Sequence, residues 1–124
     1  VLWLDYQGVS ALFTGDAPFS TESALMRDDR LGLYEFLGVD LTSTEILKVA
    51  HHGSADGTSA EFLEYLRVKT AIVSCAKNNL YGHPSDKVTT NLRNAGVDSY
   101  VTAERGTVVV TIRADGSYSV DCEK

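Results

Sequence analysis

The sequence predicts an α/β domain built on a mixed β-sheet with flanking helices. Three observations predict it. Through the middle of the chain, apolar runs of strand length alternate with stretches of helical periodicity. The two ends each carry neighbouring strand-like runs joined by short turns, the mark of antiparallel pairing. The residues able to do chemistry stand directly after apolar runs, where a parallel sheet presents its loops on one rim.

Val1–Tyr6 and Ser10–Phe13 are short apolar segments separated by Gln7-Gly8 and read as a β-hairpin entering the core. Gly15 and Pro18 end the second strand and leave Asp16 at its end. From Ser20 to Leu37 the apolar positions Leu25, Met26, Leu33, Phe36 and Leu37 follow a helical pattern, with Ser20 or Thr21 as cap. Asp28-Asp29-Arg30 and Gly32 interrupt that pattern, so two short helices are expected, ended by Gly38. Ile46–Ala50 reads as a strand buried on both faces.

After His51-His52-Gly53-Ser54, a polar loop runs to Ser59, which caps a helix carrying Phe62, Leu63 and Leu66 inward. Thr70–Cys75 reads as the next strand, with Cys75 inside it. The loop Ala76–His83 then leads to Pro84, expected in the first turn of a helix through Val88, Leu92 and Ala95 that stops at Gly96. Val97–Thr102, Gly106–Arg113 and Ser117–Cys122 read as three strands, the last two joined by a turn at Ala114-Asp115-Gly116.

With 124 residues and 44% hydrophobic side chains, the chain can bury one core, so a single unit over residues 1–124 is expected. No apolar run among these residues approaches the roughly 20 that cross a bilayer, and none of them reads as a signal peptide, which says nothing of a longer parent. The chain nevertheless opens on Val1 in mid-strand, as a fragment of something longer would. A net charge of −6 argues against general affinity for polyanions. Residues 48–93 are the exception, with six bases against four acids, and they hold all three histidines. Cys75 and Cys122 are too far apart in sequence for a local metal pair and too few for a disulfide framework, so both are expected to be free, with a single bridge as the alternative in an oxidising compartment.

Asp16, His51, His52, Ser54, Asn78, Asn79, Tyr81 and His83 all follow predicted strands. One sheet rim would bring them together. Carboxylate oxygen with imidazole nitrogen suits zinc, manganese or iron, and two such metals can clamp the oxygens of a phosphoryl displacement. Each residue also has an ordinary reading. Asp16 fits a solvated turn, the asparagines fit turn formers, and His83 fits a loop residue fixed by Pro84. In an extended strand end, only one of two adjacent histidines can point into a given site.

Three segments resemble a known family: Leu12-Phe13-Thr14-Gly15-Asp16-Ala17, Ile46 to Ser54 with its His-His-Gly-Ser end, and Ala71-Ile72-Val73-Ser74 followed by Asn78 to Pro84 with its Tyr-Gly-His-Pro end. In order and spacing they are similar to the C-terminal part of the metallo-β-lactamase-like domain of the ComEC family, bacterial membrane proteins for DNA internalisation in competence. The resemblance implies an αββα sandwich of which residues 1–124 supply the C-terminal half, a single partial domain. It implies a metal-dependent nuclease acting on the non-transported DNA strand. Asp16 and His51 would ligate a divalent zinc or manganese ion, and His52 and His83 would be catalytic. Which histidine binds metal stays open between the two loops. Ser54, Lys77, Asn78, Asn79 and Tyr81 would contact substrate.

The same resemblance places the domain outside the cytoplasm on an inner-membrane protein, with single-stranded DNA and the parent channel as partners and no obligate protein partner besides. The family's main metal motif, HxHxDH, is not among these residues, so the fragment alone is expected to bind little metal and to be inactive. At Ser74-Cys75-Ala76 it also departs from the family's small residue followed by glycine. Two other readings are kept: a metallo-hydrolase of a small ester or phosphodiester, and a non-catalytic DNA-binding or scaffold module.

Overall fold

The computed structural model of the chain describes residues 1–124. Seven strands and four helices run in the order β1 (Leu2–Tyr6), β2 (Val9–Phe13), α1 (Phe19–Arg30), β3 (Thr44–Lys48), α2 (Ala60–Leu66), β4 (Thr70–Val73), α3 (Asp86–Asn94), β5 (Asp98–Val101), α4 (Thr102–Arg105), β6 (Val108–Ile112) and β7 (Tyr118–Cys122). The first five strands form one sheet in sequential order. β1 is antiparallel to β2, while β2, β3, β4 and β5 are parallel, and each parallel step crosses over through a helix. β6 and β7 form a separate antiparallel hairpin. The fold is therefore α/β with a mixed sheet, as the alternation of periods predicted.

Strand geometry sorts the side chains to two faces. Leu12, Leu47, Ala71 and Val73 join Met26 of α1, Phe62, Leu63 and Leu66 of α2, and Val88 and Leu92 of α3 in the main core. Burial of each large side chain there contributes about 1.5–3 kcal/mol. On the opposite face, β6 and β7 lay Val110, Ile112 and Tyr118 over a small cluster of Val9, Ala11 and Ile46. Tyr118 Oη and Thr70 Oγ1, 2.8 Å apart, tie hairpin to sheet.

The hairpin leaves part of that face open. Leu2 stands opposite Phe13, Leu4 opposite Ala11 and Tyr6 opposite Val9, so all six share the face, and Leu2, Leu4, Tyr6 and Phe13 are exposed. An apolar groove of about 290 Å³ runs between Leu4, Phe13 and Ile72 on the sheet and Val108 on the hairpin.

Local details differ from expectation where backbone geometry overrides pattern. Between Ser20 and Leu37 the two expected helical pieces are α1, Phe19–Arg30, and a short 3₁₀ turn at Glu35–Leu37 that ends on Gly38 at φ 72°. Asp28, Asp29 and Arg30 finish the helix instead of interrupting it, and Gly32, at φ 74°, makes the break. Its cap position is Pro18, with no side-chain cap bond, because Ser20 and Thr21 already lie inside the helix. Pro84 precedes helix α3: Ser85 is the cap, its hydroxyl accepting from Val88 N at 3.3 Å. Ser59 caps α2 as predicted, accepting from Phe62 N at 3.1 Å. β4 ends at Val73, so Cys75 lies beyond the strand and is half-buried; it and Cys122 are both free thiols. No helix is long and apolar enough to cross a membrane.

Candidate functional site

The parallel strands end on one rim, and the chain leaving β3 makes an unusual turn there. Val49 N donates to Ile72 O at 2.9 Å, keeping the backbone beside β4 until both Val49 and Ala50 are buried. His51 (φ 46°, ψ 46°), His52 (φ 57°, ψ 20°) and Gly53 (φ 87°) are then all left-handed, and Ser54 N closes the turn on His51 O at 3.0 Å. For a residue with a side chain this conformation costs about 1–2 kcal/mol. Two consecutive histidines held this way mark a place where the surroundings overrule local preference.

Those surroundings are the neighbouring rim loops. His51 N donates to Gly15 O at 2.9 Å, joining the turn to the segment that carries Asp16. Ser85 N donates to Gly53 O at 2.8 Å, joining it to the loop that carries His83. Gly53 packs flat on Pro84, where a Cβ would lie 2.6 Å from Pro84 Cβ. Only glycine fits there.

The His52 ring docks on the end of β4, with Nδ1 2.6 Å from Ser74 O. A carbonyl can only accept, so Nδ1 carries the proton and the neutral ring keeps its lone pair on Nε2. This is the arrangement by which a backbone carbonyl orients a metal-binding imidazole.

His83 comes from the other loop, through a cis His83–Pro84 bond. Its ring centroid lies 5.9 Å from that of His51, edge to face, and the His51 and His52 centroids are 6.3 Å apart. Asn79 builds this loop from inside: Nδ2 donates to Ala76 O at 2.9 Å and to His83 O at 2.7 Å, and Oδ1 accepts from His83 N at 2.8 Å. Tyr81 leans toward His83, centroids 5.6 Å apart and rings 30° from parallel.

An open cavity of about 420 Å³ is lined by His51, His52, Ser54, Tyr81 and His83. Another, of about 210 Å³, lies beside it against His52, Cys75, Ala76, Asn79, Tyr81 and His83. A slightly larger cavity between α2 and α3 has no histidine or cysteine in its lining and is remote from this rim chemistry.

Among the predicted site residues, the structure thus brings His51, His52, Ser54, Tyr81 and His83 around one cavity and sets Asn79 beside it. Lys77 and Asn78 are exposed on the same loop without lining either space. Asp16 is exposed in its turn, and its charge acts on Lys48. Burial pushes the Lys48 ammonium below the ordinary lysine value, against the opposing pull of Asp16 and Cys75.

Two neighbours were not singled out from the sequence. Asp56 Oδ1 is 3.8 Å from His51 Nδ1. A hydrogen bond from Ser54, and after it the proximity of His51 and His83, hold the Asp56 carboxyl below the usual carboxylate range. Lys48, at the end of β3, is the other. Asp56 had a faint signal, an acid two residues after the Gly-Ser element in a loop. Lys48 had none, because it stands in a strand pattern.

A buried acid in α1 shapes the same loop from beneath. Glu22 accepts Thr58 N on one oxygen and Ser59 N, at 3.1 Å, on the other. It fixes the start of α2 and with it the return of the chain from the histidine turn.

The donors are right in kind for zinc or manganese and short in number. No three His, Cys, Asp or Glu side chains lie close enough together to hold an ion.

An α/β domain with a histidine-bearing rim is thus defined by fold and site together. The chain is 36% identical to the ComE operon protein 3 of Bacillus subtilis (strain 168) over 108 residues, 87% of this chain and 13% of that protein. It is 29% identical to the Competence protein ComA of Neisseria gonorrhoeae over 90 residues, 73% of this chain and 12% of that protein. This is a ComEC-related competence protein sequence, spanning about one eighth of the length of the curated relatives it matches. No family model matches the chain, and no solved structure matches it.

Proposed function

We propose that these residues form the C-terminal half of a metallo-β-lactamase-like αββα domain and supply one side of a hydrolytic site for DNA phosphodiesters, used in competence DNA uptake. The observation that carries the reading is the gathering of His51, His52 and His83 from two strand-end loops around one open cavity, on a turn held against its own backbone preference. The exposed face of Leu2, Leu4, Tyr6 and Phe13 supports it too, since a second sheet is what a sandwich would lay there. The names of the two relatives supply the link to competence.

In this reading Asp16 and His51 stand on the metal side, and His52, with its lone pair on Nε2, is the imidazole already oriented as a ligand would be. A divalent zinc or manganese ion in the complete site supplies Lewis acidity toward water and the phosphate. The remaining donors come from residues outside this set, which is why no three-residue cluster forms within it. His83 acts on protons at the reacting phosphate, and His52 shares that role only where its Nε2 is not taken by the metal. Ser54, Lys77, Asn78 and Tyr81 hold the strand, while Asn79 keeps the loop in shape. With a net charge of −6, affinity is local and falls as salt rises. The site belongs to the extracytoplasmic side of a bacterial inner-membrane protein, next to its DNA channel.

Metal analysis and strand-cleavage assays on the full-length gene product test this. His51→Ala, His52→Ala and His83→Ala should each lower the cleavage rate by about 100-fold or more, and His51→Ala or His52→Ala should also lower the bound metal. If none of the three changes either quantity, the site is misassigned. Binding of DNA without cleavage, with zinc or manganese supplied, would instead establish a non-catalytic DNA-binding module. Turnover of a small phosphodiester but not of DNA would make it a small-substrate hydrolase.

A further inference from the structure

We propose that Tyr81 is a stacking platform for an unpaired nucleobase, and that it makes the site prefer single strands over duplex. The inference rests on the nucleic-acid reading above and adds to it the residue that selects the strand state.

Tyr81 is 82% exposed, an unusual place for a large aromatic side chain, and Leu80 beside it is 98% exposed. Its ring nevertheless is not simply adrift in solvent. One side leans on His83 at a centroid separation of 5.6 Å, and the ring borders both rim cavities. The loop beneath is built in advance by the three Asn79 hydrogen bonds, which span residues 76–83. An exposed aromatic ring tilted toward a neighbouring imidazole, on a loop already shaped, loses less conformational freedom than one on a free loop when a flat partner lands on it.

The chemistry of that partner follows from the position. A base stacked on Tyr81 puts its own phosphates next to the cavity of His51, His52 and His83, with Lys77 on the same loop to meet the backbone charge. In a duplex both faces of each base are already stacked, so the ring gains nothing from an intact helix. An unpaired strand offers the face.

The test uses the full-length gene product with fluorescent oligonucleotides of equal length: a single strand, a duplex, and a single strand of stable abasic nucleotides that keeps the phosphates and lacks the bases. Tyr81→Ala should weaken binding of the single strand by about tenfold or more, leave the duplex and the abasic strand within about twofold, and be rescued by Tyr81→Trp or Tyr81→Phe. Equal loss on all three nucleic acids, or no loss on any, overturns the platform. Cleavage of the abasic strand reads hydrolysis separately, because no base is there to stack. If that cleavage persists and Tyr81→Ala is silent on the single strand, the platform fails and the hydrolase stands. If nothing is cleaved while the Tyr81→Ala pattern holds, the hydrolase fails and the platform stands.

Discussion

His52 Nδ1 lies 2.6 Å from the carbonyl oxygen of Ser74, so one ring nitrogen is committed to the protein and the other is left for chemistry. Long-range nitrogen-proton NMR of the neutral ring should show the Nδ1–H tautomer for His52. His52→Ala should cost about 1 kcal/mol for the lost bond. His52→Asn should recover most of it, since asparagine tolerates the left-handed region and its amide can donate to the same carbonyl. A His52 ring protonated on Nε2 would contradict the assignment.

His51 offers a direct measure of backbone strain. At φ 46° it pays for its position in conformational energy, and glycine would not. Glycine normally destabilises relative to alanine. Here the order should invert, with His51→Gly more stable than His51→Ala by about 1 kcal/mol in urea unfolding. The usual order would mean that the turn is not left-handed in solution.

Gly53→Ala tests the contact between the two histidine loops. The new methyl would meet Pro84 Cβ at 2.6 Å and Pro84 Cα at 2.8 Å, on a backbone at φ +87°. The loops must part or the turn must change hand, at a cost of about 2 kcal/mol or more. Chemical-shift changes should reach His83 as well as His51 and His52.

Glu22 is the buried support of the loop that follows the turn. Glu22→Ala leaves the amides of Thr58 and Ser59 without their acceptor and should cost about 2–3 kcal/mol. Glu22→Gln keeps the shape but turns a donor toward one of the two N–H groups, so it should recover only part of the loss. Hydrogen exchange at Thr58 and Ser59 should accelerate in both variants.

Tyr65 governs alkaline behaviour away from the site. Burial first, then the hydrogen bond it donates to Asp29 Oδ2 at 2.7 Å, push its phenol up to about 12 from an ordinary 10.0. A raised folded value means that its stabilising contribution is whole below pH 10 and is lost as pH rises through about 12. Ultraviolet titration should show a phenol near pH 12 that Tyr65→Phe removes, while Tyr34, raised by burial and then by Asp28 and Asp29, stays late in the variant, and that variant should lose the same share of alkaline sensitivity.

Sequence patterns reach the element order and the main core because both depend on local pattern: Leu47 and Phe62 are buried where a continuous apolar run and helical spacing put them. They reach the histidines too, since residues at strand ends share a rim in any parallel sheet. Boundaries were less legible. Ser85 has the chemistry of a cap and Pro84 that of a first helical residue, so local residue type points two ways at the start of α3, and α1 runs through Asp28–Arg30 to break at Gly32.

By itself, then, the sequence determined an α/β chain with a histidine-rich rim. Only the tertiary structure decided how that rim is put together. The left-handed turn at His51-His52-Gly53 runs against the preference of its own residues and holds because Gly15 O, Ser74 O, Ser85 N and the face of Pro84, all distant in sequence, meet it. The same holds for Asn79, whose amide is spent inside its loop, and for Asp56, an ordinary loop acid until the fold sets it 3.8 Å from His51. Contacts between segments far apart along the chain leave no periodicity behind, and these are the contacts from which the site is made.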